Sequence, residues 1–318
     1  MNTLPFQTKV QVAAALVDGA SIRTTHRLLG VHRDTIGRFN IVAGDACARL
    51  HDALVRNVQP ALVQADELWT FVGKKQRRLV AGDPAEYGDQ YVFLAMDAVC
   101  KLIISYRVGK RTGETADAFV RDLRTRVLGR PQLSTDAWAA YPEAVDRHFG
   151  PDVDYGMVDK DYVAPLAPEA ARRYSPARLL RVTKTVVAGA PDTDLISTSY
   201  IERMNLSVRV SLKRFARLTI AHSKRLRNLE AAVSLFVAHF NFVRVHETLR
   251  CTPAMEAGLT DHIWSVAELL QRAFQAVSPP PEPEVPQGMS GARAKGEMRG
   301  SGPSRWHRHL RVIEGGKK

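Results

Sequence analysis

Three acidic residues are spaced so that a folded chain could gather them around hard cations. Asp66 and Asp136 lie in strand-like runs, ALVQADELWTFVG and PQLSTDAW, and Glu202 lies in a basic helical stretch, SYIERMNLSVRVSLKRFARL. Carboxylates from two adjoining strands and one packed helix can bind two divalent ions through oxygen. Two such ions, about 3.5–4 Å apart, suit the cutting and joining of phosphodiesters. The expected cofactor is Mg2+, with Mn2+ as a substitute. Any one of these acids alone reads as a solvated or capping group; the set carries the chemistry. Glu67 competes with Asp66, but neighbouring strand residues face opposite ways, so alternation admits only one of them to a given site. Asp97 falls in a turn and is assigned to turn chemistry.

Basic and polar groups surround this set in the sequence. On a helix, positions seven and eleven beyond Glu202 return to the same face, which places Arg209 and Lys213 on its stripe with Asn205 nearby. From Arg203 to Arg250 there are ten Lys or Arg and two acids. A solvated face normally mixes signs, so this run reads as a nucleic-acid track that includes Arg214 and Arg217. Near the N-terminus, His32, Arg33, Thr35 and Arg38 offer groups for phosphates and base edges. His239, Asn241 and His246 could assist near the site, although a satisfied histidine at a helix end is the commoner outcome. There is no G-x-x-x-x-G-K-[ST] loop, no H-E-x-x-H and no G-x-S-x-G.

The elements that must position these groups follow from periodicity. Residues 7–17 form an amphipathic helix. Ser21 caps a second, Ile22 to Leu29, Gly30 turns the chain, and a third runs from Arg33 to about Asn40. That layout is a helix-turn-helix. Residues 41–60 read as a helical connector. Strands are expected at 61–72, 91–96 and 102–108, the last two joined by a tight turn at Asp97–Lys101. A helix from Thr112 to about Leu128 follows, with Ala116, Phe119, Val120 and Leu123 as its buried stripe. A strand then ends at Asp136, with a helix near Tyr141–Phe149 and a strand at Val153–Val158 beyond it. Residues 160–197 read as a loop or small insertion, and 198–246 as helix broken near Thr219–His222. Thr252-Pro253 caps a further helix and Trp264 to Ala276 gives one more. Three strands, helix, strand, helix, strand, helix is the order of an RNase H-like fold, an α/β mixed sheet whose first strand lies beside the fourth. The domain expectation is a helix-turn-helix unit over 1–45, a linker over 46–60, a catalytic unit over 61–277 and a disordered basic tail over 278–318.

The 318 residues carry a net charge of +12, so a polyanionic partner is expected. Cys47, Cys100 and Cys251 are scattered, which excludes a disulfide framework and a cysteine zinc site and suits a reducing cytosol. The start lacks the order of a signal peptide. The longest apolar stretch, Ala231 to Val243, is short of a membrane span and carries polar interruptions. A soluble, cytoplasmic and nucleoid-associated protein with no membrane partner is expected.

ADELWTFVGKKQRR, STDAWAAY and STSYIERMNLSVRVSLKRFARLTIAHSK resemble blocks of insertion-sequence transposases of the IS-one type. The resemblance covers roughly residues 60–245, and its most specific block is I-E-R-x-N with its basic run and final H-S-K. It implies a DDE triad of Asp66, Asp136 and Glu202, double-stranded DNA as partner (element ends and target), and a homo-oligomer on that DNA. Several relatives carry an N-terminal cysteine zinc finger, which this chain lacks. The alternative from another class is a non-catalytic helix-turn-helix regulator on the same scaffold.

Overall fold

The computed structural model describes residues 4–163, 178–216, 219–276 and 311–314. Helices α1 (Phe6–Val17), α2 (Ile22–Leu29) and α3 (Arg33–Leu54) precede the sheet. Strands β1 (Leu62–Val72), β2 (Gly88–Asp97) and β3 (Ile103–Gly109) follow, then α4 (Gly113–Arg126), β4 (Gln132–Asp136), α5 (Ala140–Phe149), β5 (Asp154–Val163) and β6 (Arg178–Ala188). The chain continues as α6 (Ser199–Ser211), α7 (Leu226–Phe242), α8 (Pro253–Glu256), α9 (Val266–Gln275) and β7 (Arg311–Glu314).

The strand order is β3-β2-β1-β4-β5-β6-β7. β1 runs antiparallel to β2 and parallel to β4, and β4 runs parallel to β5. This is the RNase H-like arrangement: a mixed α/β sheet with helices on both faces. Period-2 alternation divides the strand residues between two apolar layers. Val63, Ala65, Phe93 and Ala95 enter one layer with Phe119, Tyr141 and residues of α1 and α3. Leu68, Val72, Val92 and Leu94 enter the other, with Ile201, Met204 and Val208 of α6. Because both faces are covered, β2 carries an unbroken apolar run, Val92–Met96.

Local chemistry sets the helix ends. Ser21 Oγ accepts from Thr24 N at 3.0 Å, and Gly30 ends α2 at φ 69°, a conformation that suits a residue without Cβ. Asp97 Oδ1 accepts from Val99 N at 2.7 Å, which confirms its turn role.

Several boundaries differ from the sequence expectation. α3 continues to Leu54, through most of the stretch expected to be a linker, and buries Ala43, Ala46, Cys47 and Leu50 in the layer shared with the sheet. Within the expected insertion, β5 and β6 pair antiparallel over a long register. Of the tail expected to be disordered, Arg311–Glu314 pairs with β6, and 277–310 and 315–318 lie outside the described residues. Among the described residues, no helix is long and apolar enough to cross a membrane. All three cysteines are free.

Candidate active site

Strand register brings Asp66 and Asp136 together. The β1–β4 pairing matches Leu62 with Gln132, Val63 with Leu133 and Gln64 with Ser134, and stops there. Asp66 and Asp136 sit two residues beyond that last pair on their strands, so each keeps the face of its paired neighbour. Past that point the two strands part and leave room between them.

Gln64 sets the third element. Its Oε1 accepts from Tyr200 N at 2.9 Å and Ile201 N at 3.1 Å, which satisfies first-turn donors of α6 and ties that helix to β1. One turn along, Asn205 Nδ2 donates to Asp66 Oδ2 at 2.7 Å. The other Asp66 oxygen accepts from Glu67 N at 2.8 Å. Burial is the main cause that raises the Asp66 carboxyl to about 6, with Asp136 and Glu202 adding repulsion. Asp136 Oδ1 accepts from Trp138 N at 3.1 Å, and its carboxyl is also raised, first by burial.

Glu67 departs from the alternation argument. Its backbone faces the opposite layer, yet Asp66, Glu67 and Asp136 each offer a carboxylate oxygen, all within 4.8 Å of one another. A glutamate is long enough to reach round the strand where β1 and β4 part. Its side chain is 2% exposed, and burial raises its carboxyl to about 7. Arg111 bridges the group: Nε reaches Glu67 Oε2 at 3.1 Å and Nη2 reaches Asp136 Oδ2 at 3.3 Å. The same guanidinium lies over the Trp138 ring, 4.6 Å from its centroid. Tyr141 is buried beside Glu67, close enough for its hydroxyl to act on that carboxylate.

Glu202 stands at the edge of this group. Lys160 Nζ pairs with its Oε1, which also accepts from Thr198 Oγ1 at 2.7 Å. The Glu202 charge still acts on Asp66, but its oxygens are not among the three that converge. Sequence reasoning missed Glu67, Arg111, Gln64 and Lys160. Only Glu67 carried a signal, through its adjacency to Asp66.

The other expected contact residues are scattered. Asn205 is committed to Asp66. Arg209 Nη1 donates to Phe215 O at 3.2 Å, folding back on the turn after α6. The helical stripe does not reach Lys213, because α6 ends at Ser211 and Leu212 is extended. Arg214 Nη1 donates to Ser223 Oγ at 2.8 Å and Asn228 O at 2.7 Å, and burial lowers its guanidinium to about 10. Arg217 lies outside the described residues. His32, Arg33 and Arg38 are exposed and Thr35 is half-buried. Asn241 brackets Ile103 N and O at 3.0 and 2.9 Å, and His239 is held at about 4 by burial; both serve the core.

Three convergent carboxylates form an all-oxygen set that fits a hard divalent cation.

No protein-family model matches the chain. The insertion element iso-IS1n protein InsB of Shigella dysenteriae is 24% identical over 183 residues, covering 57% of this chain and 97% of that protein. Among solved structures, a piggyBac transposase synaptic complex with hairpin DNA matches at TM-score 0.34 and 10% identity, covering 86% of this chain and 70% of its own. The Mos1 strand transfer complex matches at TM-score 0.22 and 13% identity, covering 74% and 78%.

Proposed function

We propose that this chain, which resembles insertion-sequence transposases of the IS-one type, is a DNA transposase that binds the ends of an element and carries out metal-dependent nicking and strand transfer. The observation that carries this reading is the meeting of Asp66 and Asp136 just past the point where the parallel pairing of β1 with β4 stops, with α6 locked beside them. The +12 net charge supports a nucleic-acid partner.

Asp66 and Asp136, with Glu67 beside them, are the residues the geometry offers to Mg2+, or Mn2+ in its place, and Glu202 is the further ligand that the resemblance implies. Bound there, the metal supplies Lewis acidity, making an oxygen nucleophile available near neutral pH and stabilising the departing 3′ oxygen. Asn205 and the Glu67 amide fix both oxygens of Asp66, so the carboxylate is oriented in advance. Arg111 offsets the charge of Glu67 and Asp136. Glu202 can join the other acids once Lys160 releases it, which makes Lys160 a resident cation beside the phosphate path. His32, Arg33, Thr35, Arg38, Lys213, Arg214 and Arg217 remain proposed DNA contacts. Strand transfer needs two ends held together, so a homo-oligomer on DNA is part of the reading, as is a cytoplasmic, nucleoid-associated location.

The test is a Mg2+ or Mn2+ nicking assay on duplexes carrying the element's ends. Asp66→Asn, Asp136→Asn and Glu202→Gln should each still shift the duplex but lose nicking by about a hundredfold or more, since even outer partners of metal ligands cost 10- to 100-fold. Ordinary nicking by any of these variants would remove that residue from the site, and absence of nicking by the wild type would return the chain to the regulator class.

A further inference from the structure

A second site lies at the far end of α6. A cleft of about 520 Å3 opens between α2 with the start of α3 on one side, and the turn after α6 with the approach to α7 on the other. Arg23, Arg27, Arg33, Lys213, Arg214 and Lys224 line it, and among the described residues no Asp or Glu does. Cations gathered from three separate chain segments in this way repel one another, and a folded protein normally intersperses acids among them. Among the described residues, Arg23, Arg27, Arg33 and Lys213 make no hydrogen bond or ion pair. Lys224 Nζ meets only the His222 ring nitrogen, at 2.6 Å, and Arg214 meets only neutral oxygens. The cleft is therefore a concentration of positive charge without internal compensation.

We infer that this cleft is a docking site for the sugar–phosphate backbone of double-stranded DNA, a few base pairs along from the phosphate at the carboxylates. The inference rests on the function proposed above. α6 supplies the spacing: Glu202 stands near its start and Leu212, which lines the cleft, closes its end. Ten residues of helix span about 15 Å. At a rise of 3.4 Å per step, that is about four base pairs of duplex. A rod-like polyanion reaching the carboxylates along α6 meets the six cations next. The site reads charge and not sequence, because these long side chains surround an opening whose remaining walls include Ile22, Leu212 and Ile220. It also gives α2 a role that base reading leaves unassigned, since Arg23 and Arg27 are exposed and line the cleft.

The test compares wild type with the Arg23→Gln/Arg27→Gln/Lys224→Gln triple variant on a 30-base-pair duplex of arbitrary sequence, over a series of salt concentrations. Each neutralised phosphate contributes about 0.9 to the slope of log affinity against log salt. The triple variant should lose about 2–3 units of slope and bind at least about tenfold more weakly at 0.1 M salt. The Lys-for-Arg variant Arg27→Lys should keep the wild-type slope. Should the triple variant melt early, wild type is instead titrated with duplexes in which methylphosphonates replace the phosphates about four steps from the mapped nick. These should bind more weakly than duplexes neutralised elsewhere. An unchanged slope, or a methylphosphonate effect independent of position, overturns the inference. So does a result in which the triple variant loses binding of a polyglutamate peptide while its duplex binding is unchanged, since that assigns the cleft to acidic proteins. Absence of nicking in a wild type whose slope still depends on the cleft overturns the catalytic reading and leaves this one standing.

Discussion

Burial raises the Asp66 carboxyl to about 6 and the Glu67 carboxyl to about 7, and each feels the charge of Asp136 as well. A carboxyl that holds its proton more tightly when folded stabilises the fold at low pH. That contribution is complete below the unfolded value near 4 and is lost as pH rises through 6 to 7. Asp66→Asn removes the Asp66 share. In chelator, its Tm should therefore climb relative to wild type as pH goes from about 4 to about 7, and paired melting curves check this. A difference that is flat with pH would mean Asp66 is not buried as described. Asn205→Ala frees one Asp66 oxygen and should weaken Mn2+ binding about 10- to 100-fold, as outer partners of metal ligands do; titration by electron paramagnetic resonance measures it. At this scale the convergence of Asp66 and Asp136 was legible because both lie in strand-like runs and strand pairing makes distant residues neighbours. Glu67 was not, because alternation describes the direction of a Cβ and says nothing of how far three further bonds reach. Lys160 was illegible because the strand that carries it was expected to end at Val158, with 160 onward read as loop.

At the scale of elements, the crossing of α3 over α7 is the tightest joint in the molecule. A Cβ placed on Gly44 would lie 2.2 Å from Ala231 O and 2.5 Å from its Cα, which are backbone atoms that cannot swing aside. Helix propensity alone favours alanine over glycine by about 1 kcal/mol. Here overpacking wins: Gly44→Ala should destabilise by about 1–3 kcal/mol, read as a lower midpoint in urea. The third helix was expected to end near Asn40, with a helical connector beyond it. Glycine usually weakens or ends a helix, and nothing local distinguishes that use from a close approach between helices. A second joint is Arg126 of α4, which reaches Asp122 at 2.8 Å and Asp52 of α3 at 2.8 Å, with its side chain 7% exposed. Arg126→Met would leave Asp52 with Arg56 and Asp122 with Ser105 as remaining partners, and should cost about 1–3 kcal/mol.

At the scale of the molecule, α1, α2 and α3 share an apolar layer with the sheet, and Asn241 of α7 and His51 of α3 both bond to Ile103 of β3. Folding of the N-terminal helices is thereby coupled to that of the catalytic sheet. Calorimetry should give one transition for the full chain, and two resolved transitions would contradict the shared layer. The order of elements, and so the RNase H-like sheet, was readable because periodicity is local. The union of N-terminal unit and sheet was not, since a helix's own sequence shows that it has an apolar face but not which partner covers it. One feature of the site bears on the life of the whole chain. Arg111 spans Glu67 and Asp136, and Lys160 clasps Glu202, so the acids come with counter-ions of their own. Assembly need not wait for an inorganic ion, as it must in a zinc finger. A chelated preparation should be a complete, dormant protein that wakes on addition of magnesium without refolding.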